Sequence, residues 1–191
     1  MKILKAIALF SCLISVTASA LALAAPSSLQ PALGEKACFE RKYTSDHLRR
    51  NPKQHLSSMY ILVTHMRDSY SDGGTYDWVN GTVVGASKNE YYMNDNAGCV
   101  YKADGSISCN IECDGGAFEV YPQSDSVLFQ VAKDYYFPLY RRGTDQETAG
   151  REDVLHFSSD DRDNAVYKLY PVEVKKCEAA IARAKIRSWG C

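Results

Sequence analysis

Six cysteines that follow an N-terminal export segment constrain this chain more than any other feature. The chain has seven cysteines in 191 residues, and one of them lies inside that segment. The other six are Cys38, Cys99, Cys109, Cys113, Cys177 and Cys191. Compartments outside the cytoplasm oxidise thiols, so an even set of cysteines in an exported chain predicts disulfide bonds. The sequence therefore predicts a periplasmic or secreted domain that is held together by disulfides.

Residues 1–25 have the three parts of a cleaved signal peptide. Lys2 and Lys5 form a basic start, Ala6–Val16 form an apolar stretch, and small residues of the A-x-A type follow. The apolar stretch is shorter than the roughly 20 residues that a membrane-spanning helix needs, and no later stretch is long and apolar enough to span a membrane. The alternative is a lipid-attachment site at Cys12, which would leave an apolar region of only a few residues.

The rest of the chain fits one domain. We expect a flexible leader over residues 26–37, where prolines and a glycine interrupt regular structure, and a single domain over residues 38–191. The whole chain has 22 basic and 23 acidic residues, and loss of Lys2 and Lys5 leaves 20 against 23, a formal net charge of −3. This charge offers no basic excess to hold nucleic acid or an anionic membrane surface, so neither is expected as a partner.

Short apolar segments rich in Val, Ile, Tyr and Phe fill the middle of the chain. Turn residues divide them at intervals near the roughly 8–12 residues that are typical of all-β folds. The predicted strands are Met59–Met66, Tyr76–Ala86, Glu90–Met93, Gly98–Lys102, Ser106–Cys113, Phe118–Tyr121, Val127–Lys133, Val154–Phe157 and Val166–Tyr170. Predicted strands do not alternate with predicted helices along the chain, so a parallel sheet is not expected. The sequence therefore predicts a mainly β fold, a single antiparallel barrel or sandwich of about eight to nine short strands.

The end of the chain changes to a helical period. Between Val174 and Arg187, apolar residues recur at spacings of three and four, and these are Val174, Cys177, Ala180, Ile181 and Ala184. The basic residues that fill much of the opposite side are Lys175, Lys176, Arg183 and Lys185. This pattern predicts an amphipathic helix that docks one face on the sheet. Its basic face is interpreted as a solvated surface, with binding of an acidic partner as the alternative.

Hairpin geometry predicts one disulfide. If Ala103-Asp104-Gly105 forms a three-residue loop, Gly105 occupies the position that needs a left-handed conformation. Cys99 then lies directly opposite Cys109. Opposed Cβ atoms in a non-hydrogen-bonded pair are close enough for a disulfide, so we expect Cys99–Cys109.

The remaining four cysteines can pair in three ways. We favour Cys38–Cys177, because it ties both ends of the domain together and closes a long loop. That choice leaves Cys113–Cys191. The alternative is a zinc site built on the Cys109-x3-Cys113 spacing, but no second pair of ligands completes it.

No motif in the sequence identifies a reaction. The chain lacks a G-x-S-x-G nucleophile elbow, a phosphate-binding G-x-x-x-x-G-K loop, a G-x-G-x-x-G turn and a paired-histidine metal motif. A catalytic site dispersed along the sequence would use His65 or His156 with Asp114 or Asp161. The acidic cluster Asp160–Asn164 lacks the Gly and Glu of a calcium-binding EF-hand loop, so a solvated loop is expected. We therefore expect no cofactor, no metal and no enzymatic activity.

Tyrosines supply the candidate binding residues. All 13 tyrosines follow the export segment, and Tyr91, Tyr92 and Tyr140 are the candidates for contact with a ligand. Tyrosine can stack on sugars or anchor a protein partner. Most of the tyrosines are nevertheless expected to be half-buried strand residues. Asn80-Gly81-Thr82 matches a glycosylation acceptor, which matters in a eukaryotic secretory pathway.

Three functions are compatible with these features. The first is an exported, non-enzymatic binding protein with a protein or glycan partner in the envelope or outside the cell. Its general layout is similar to that of small periplasmic β-barrel inhibitors of lysozymes and proteases. The second is a secreted hydrolase with a dispersed His/Asp site, and the third is a carrier of a small ligand inside a barrel, in the manner of lipocalin-like proteins. The lack of a catalytic signature favours the first.

Overall fold

The computed structural model describes residues 28–111, 116–145, 148–161 and 164–184. These residues form ten strands: β1 (Lys36–Lys42), β2 (Ser58–Ser69), β3 (Thr75–Ser87), β4 (Glu90–Tyr101), β5 (Ile107–Ile111), β6 (Ala117–Pro122), β7 (Val127–Val131), β8 (Tyr136–Arg141), β9 (Val154–Ser158) and β10 (Val166–Val172). They also form the helices α1 (Ser45–Arg50) and α2 (Val174–Ala184) and a 3-10 turn at Arg151–Asp153. In this part of the chain, no helix has the length and apolar character needed to cross a membrane. The predicted signal peptide and Cys12 lie outside the described residues.

Eight of the strands close into an antiparallel barrel. The order around it is β1-β2-β3-β4-β5-β6-β7-β10, and β10 pairs back with β1. Neighbours in space are therefore successive barrel strands in sequence, which is an up-and-down topology. The other two strands, β8 and β9, form a hairpin that pairs with the beginning of β4 at Tyr92 and Met93. The predicted mainly β fold is confirmed, and the barrel is the correct one of the two architectures.

A β-bulge marks the point where β4 changes its partner. The β3–β4 register shifts between Gly81 and Val83, and β4 has one more residue than β3 there. Before the bulge β4 pairs with β8, and from Ala97 onward it pairs with β5. A bulge bends a strand and increases its twist, which allows one strand to serve two neighbours in turn. The sequence predicts two separate strands here, but the single strand β4 runs from Glu90 to Tyr101.

Side chains fill the interior of the barrel. The largest of them are at most 2% exposed, and they include Phe118, Phe129, Phe137, Phe157 and Tyr167. The ring centroids of Phe118, Phe129 and Phe137 lie 5.0–5.6 Å from one another. Full burial of each such ring stabilises the fold by about 1.5–3 kcal/mol. Since a small-ligand carrier needs an open lumen, this filled interior does not favour the carrier hypothesis.

The Cys99–Cys109 disulfide lies in this interior, as the hairpin geometry predicts. Cys99 pairs directly with Cys109, their Cα atoms lie 4.0 Å apart, and Gly105 in the turn has a φ of +85°. The sulfur atoms pack against β3 at Gly81, where an added Cβ would lie 2.9 Å from Cys99 Sγ. A larger residue at this position would therefore collide with the disulfide.

The helix α2 lies on the outside of the barrel, and the Cys38–Cys177 disulfide joins it to β1. This confirms both the predicted helix and the favoured pairing. The helix and the barrel share an apolar cluster, which comprises Cys38, Tyr60, Leu62, Val84, Met93, Cys177, Ala180 and Ala184. The strand β2 is thereby covered on both faces, since its alternate residues Met59, Ile61 and Val63 belong to the interior. Cys113 and Cys191 lie outside the described residues.

Part of the predicted leader packs against the barrel. Leu29 is buried in the core, and the side-chain amide of Gln30 donates hydrogen bonds of 3.2 Å to two carbonyl oxygens of the β4–β5 turn. The first strand begins at Lys36, before the predicted start of the domain at Cys38. The barrel core therefore includes residues of the segment 26–37.

The helix α1 and the strand β8 are absent from the prediction. In α1, the Thr44 side chain accepts a hydrogen bond from the backbone N–H of His47 at 3.2 Å, which caps the first turn. A helix of six residues is too short to show a helical period in the sequence. In β8, Pro138 argues against a strand at the sequence level, because proline cannot donate to a sheet. The structure retains the strand, and the Pro138 carbonyl accepts a hydrogen bond from the buried Asn94 amide at 3.2 Å.

Candidate functional site

A groove runs between α2 and the outer face of the barrel, and we call it the α2 groove. The residues that line it are Glu40, Lys42, Tyr60, Tyr91, Lys176, Ala179, Ala180 and Arg183. Its cavity has a volume of about 190 Å³. Three cations and one carboxylate line this groove, although the whole chain has a formal net charge of −1. The α2 groove is thus a local concentration of positive charge.

Two periodicities in the sequence place these side chains around one groove. Cys38, Glu40 and Lys42 are alternate residues of β1, so Glu40 and Lys42 share the face on which Cys38 binds α2. On α2, Lys176 and Arg183 are two helical turns apart and therefore lie along one edge of the helix. The disulfide fixes this edge of the helix next to that face of the strand.

Glu40 forms the floor of the groove. Its side chain is 10% exposed, and its two carboxylate oxygens lie 2.7 Å from Lys42 Nζ and 3.5 Å from Lys176 Nζ. The oxygen nearer Lys42, Oε1, is buried, and its distance to Lys42 Nζ is that of an ion pair. Burial acts to raise the pKa of Glu40, but its polar contacts with Lys42 and Tyr60 and the charges of the two lysines outweigh burial and lower the pKa. The floor of the groove is therefore a carboxylate that is ionised at neutral pH.

Two tyrosines complete the walls. Tyr60 is 8% exposed, and burial, together with its contact with the Glu40 carboxylate, raises the pKa of its hydroxyl. The hydroxyl of Tyr91 accepts a hydrogen bond of 3.1 Å from Arg183 Nη1. The Arg183 guanidinium also lies 6.0 Å from the centroid of the Tyr91 ring, within the range of a cation–π contact. Tyr91 therefore positions Arg183 at the rim of the groove.

The structure separates the three candidate tyrosines. Tyr91 and Tyr140 pack against the apolar cluster beneath α2, whereas Tyr92 packs against the barrel interior. Successive residues of a strand face opposite sides, so Tyr91 and Tyr92 do not share a surface. Burial raises the pKa of the Tyr140 hydroxyl. Of the three, Tyr91 lines the α2 groove, and a binding role for all three stays a prediction.

The sequence pattern does not identify Glu40, Lys42 and Tyr60 as site residues, and it predicts a solvated face for Lys176 and Arg183. The structure instead sets both of these basic residues at the groove. The alternate spacing along β1 contains the signal that identifies its two charged residues. The spacing can be interpreted only when β1 is known to be a strand and Cys38 is known to pair with Cys177 of α2.

The histidines of the hydrolase hypothesis have separate surroundings. His65 Nδ1 lies 3.1 Å from the carbonyl oxygen of Pro31, and its ring packs edge-on against Tyr101 with centroids 5.4 Å apart. His156 is exposed on β9, and Asp114 lies outside the described residues. Within the described ranges, no three His, Cys, Asp or Glu residues are grouped so that they could hold a metal ion.

Asn164 is buried, although the sequence predicts an exposed loop over Asp160–Asn164. Its amide nitrogen donates hydrogen bonds to the Lys53 carbonyl oxygen at 3.0 Å and to Asp161 Oδ2 at 2.8 Å. Its amide oxygen accepts a hydrogen bond of 2.9 Å from the backbone N–H of His55. Asn164 therefore joins the segment before β2 to the segment before β10. This structural role involves Asp161, the other acidic residue of the hydrolase hypothesis.

The β2–β3 hairpin presents a second exposed surface. Tyr70 is 56% exposed, and its ring lies against that of Tyr76 with centroids 4.4 Å apart. Next to this pair, the Arg67 guanidinium donates hydrogen bonds of 2.6 and 3.0 Å to the two carboxylate oxygens of Asp77. These two aromatic rings, which we call the hairpin tip, are an alternative docking surface because exposed tyrosines often anchor protein partners.

Barrel, helix and groove together define a class of architecture: a closed eight-stranded up-and-down barrel with a disulfide-linked helix and a basic groove on its outer face. Comparisons of the chain with protein-family models, with curated proteins and with solved structures find no significant match.

Glu40→Gln should reduce the loss of stability at acid pH. The pKa of Glu40 in the folded protein is below its ordinary value of 4.5. The ionised side chain therefore stabilises the fold above that ordinary value, and this contribution disappears as the pH falls through the lowered pKa. The difference in free energy of unfolding between wild type and variant should be largest near neutral pH and shrink toward acid pH. Urea denaturation over a series of pH values measures it.

The matched control is Glu178→Gln. Glu178 also lies on this side of the barrel, but its side chain is 50% exposed and binds Lys36 at 2.8 Å. This variant reports the cost of losing an exposed ion pair on α2. If the difference in free energy of unfolding between the wild type and Glu40→Gln is the same at every pH, ionisation of Glu40 does not contribute to the pH dependence of stability.

Proposed function

We propose that this protein is a non-enzymatic binding protein that works in the periplasm or outside the cell, and that it binds its partner at the α2 groove. The observation that carries the proposal is the groove itself. It is a concave site in which charged and aromatic side chains converge beside a helix that a disulfide attaches to the barrel. Recessed sites with a few convergent polar groups are the usual form of a binding site.

The disulfides support a location in the periplasm or outside the cell. Both Cys38–Cys177 and Cys99–Cys109 need an oxidising environment to persist, which is the condition outside the cytoplasm. The predicted signal peptide agrees with that compartment.

The construction of the groove supports binding at this surface. Packing of α2 on the barrel and the disulfide hold the backbone of the groove residues in place, so less conformational entropy is lost on association. The basic rim also includes arginine, one of the residue types that carry most binding energy in protein interfaces.

The two other hypotheses have weaker support. The predicted hydrolase site would join His65 or His156 to Asp114 or Asp161. Asp161 instead accepts a hydrogen bond from the buried Asn164, and His65 contacts Pro31 and Tyr101. A carrier would need a lumen, but aromatic side chains fill the centre of the barrel.

Cross-linking capture tests the proposal. The oxidised protein without its signal peptide is exposed to native periplasmic or extracellular extract, and bound proteins are identified by mass spectrometry. We expect one saturable partner, and we expect Arg183→Gln and Tyr91→Phe to reduce its capture severalfold. Lys175→Gln is the control, because Lys175 is an exposed basic residue of the same helix that does not line the groove.

Two outcomes would contradict the proposal. A partner that all groove variants retain, but that Tyr70→Ala/Tyr76→Ala loses, would place binding at the hairpin tip. If no saturable partner is found in either compartment, a binding function at this surface is wrong.

A further inference from the structure

We infer that the α2 groove recognises an acidic protein segment, whose side-chain carboxylates bind Lys176 and Arg183. This inference rests on the proposed function and specifies the chemistry of the partner. Four observations support it: the charge of the groove, its size, the spacing of its cations and the state of its aromatic rings.

The charge of the groove is unbalanced. Three cations face the single carboxylate of Glu40, and two of them, Lys42 and Lys176, share its charge at 2.7 and 3.5 Å. The described contacts of Arg183 are with the neutral Tyr91. An excess of positive charge in a partly recessed site attracts anions, and guanidinium and ammonium groups form strong charge-assisted hydrogen bonds with carboxylates.

The size and spacing fit an extended peptide segment. A cavity of about 190 Å³ admits one or two carboxyl-bearing side chains. Lys176 and Arg183 are seven positions apart along α2, a rise of about 10 Å at roughly 1.5 Å per residue. In an extended segment of polyproline II type, which has three residues per turn and a rise of roughly 3.1 Å per residue, residues three positions apart lie on the same side and about 9 Å apart. The groove therefore suits a segment with two acidic residues at positions i and i+3.

The aromatic rings argue against a neutral glycan as the partner. Neutral sugars bind proteins largely by stacking on exposed aromatic faces, in addition to hydrogen bonds. In the groove, Tyr60 is 8% exposed, and the Arg183 guanidinium lies over the ring of Tyr91. The groups of the groove that a ligand can contact are therefore mainly cationic rather than aromatic.

Glu40 then acts as an internal competitor. Its carboxylate occupies Lys42 and Lys176 when no partner is bound, and an incoming carboxylate must share these cations with it. Removing the charge of Glu40 should therefore strengthen the binding of an acidic segment. If the groove instead binds a cationic group on the Glu40 carboxylate, the same change weakens binding.

The test uses a defined probe. We choose a short acetylated and amidated peptide with two glutamates three positions apart in a Gly/Ser background, and a matched peptide with two glutamines. Isothermal titration calorimetry with the oxidised protein should detect binding of the glutamate peptide and none of the glutamine peptide. Affinity should fall as salt is added, because the attraction is between charges near the surface.

The variants give the decisive comparison. Lys176→Gln and Arg183→Gln should each weaken peptide binding by about fivefold, which is the size expected for loss of one partly exposed ion pair. Lys175→Gln removes the same charge from the neighbouring position and should leave the affinity unchanged. Glu40→Gln should raise the affinity severalfold. Circular dichroism and thermal melting of each variant establish that it is folded.

Three results would overturn the inference: equal loss of affinity in Lys175→Gln and Lys176→Gln, weaker binding by Glu40→Gln, or tighter binding of a sulfated oligosaccharide than of the glutamate peptide. These results are distinguishable from failure of the proposed function. If the captured partner depends on Arg183 but the glutamate peptide does not bind, the groove is a binding site of another chemistry. If capture is independent of the groove, the proposed function itself is wrong.

Discussion

Removal of the Cys38–Cys177 disulfide by the double substitution Cys38→Ala/Cys177→Ala should lower the free energy of unfolding by about 4 kcal/mol. The bond joins residues that are 139 positions apart, so it greatly restricts the unfolded chain. It also holds α2, a helix of 11 residues that is too short to be stable without its contacts to the barrel. Urea denaturation of the oxidised wild type and of the variant measures the difference.

Hydrogen exchange separates the two effects of this disulfide. In the double variant, the amides of α2 should lose nearly all protection, whereas amides of β6 and β7 in the barrel wall should lose only the part that corresponds to the lower global stability. Unchanged protection of α2 would show that packing of Ala180 and Ala184 is enough to hold the helix. We also expect the double variant to lose binding at the α2 groove, because the helix supplies one of its walls.

Gly116→Ala should destabilise the fold by about 4 kcal/mol. Gly116 has a φ of +92°, which L side chains rarely adopt. In addition, an added Cβ would overlap the carbonyl oxygen of Tyr136. That oxygen belongs to the backbone of β8, so it moves only if the whole strand shifts. Thermal and chemical unfolding of the variant give the size of the loss.

Gly143→Ala is the matched control. Gly143 has a φ of +75°, and no heavy atom lies within 4 Å of the position of its added Cβ. This variant should cost about 1 kcal/mol, which is the penalty for a left-handed residue other than glycine. The additional loss of stability in Gly116→Ala, compared with Gly143→Ala, would then measure the cost of the steric overlap with β8. Equal losses in the two variants would mean that this approach contributes nothing to stability.

Local chemistry explains which parts of the fold the sequence predicts. The Cys99–Cys109 bond follows from a turn of three residues, because Gly105 and the alternation of side chains determine the register. The helix α2 follows from apolar residues at a helical period. The strands β2 and β3 follow from long runs of β-branched and aromatic residues.

Distant contacts explain the parts that sequence analysis missed. The strand β1 is short, and four of its seven residues are charged, so its sequence has no clear strand pattern. It forms a strand because it pairs with β2 on one side and β10 on the other. The strand β8 contains Pro138 and is stabilised by pairing with β9 and by contacts with the barrel core. Both strands depend on partners that are distant in sequence or on packing that a local pattern does not contain.

The α2 groove illustrates the same limit. Lys176 and Arg183 occupy the polar side of an amphipathic helix, which is usually exposed to solvent. Which strand lies beside them depends on the pairing of Cys38 with Cys177, and the position of Glu40 depends on that pairing as well. The cysteine spacing favours this disulfide, but no local pattern identifies β1. The sequence therefore does not indicate that charged residues from the two ends of the domain lie side by side.

The pairing of β1 with β10 also sets an order of assembly in time. If the chain is exported from its N-terminus, as we propose, the barrel cannot close until β10 has followed β1. Cys99 meets Cys109 after ten residues, whereas Cys38 cannot form its native bond until Cys177 arrives, 139 positions later. During that interval the native partner of Cys38 is absent, although other cysteines of the chain are already present. Formation of the native Cys38–Cys177 bond therefore depends on the arrival of α2, which carries Cys177.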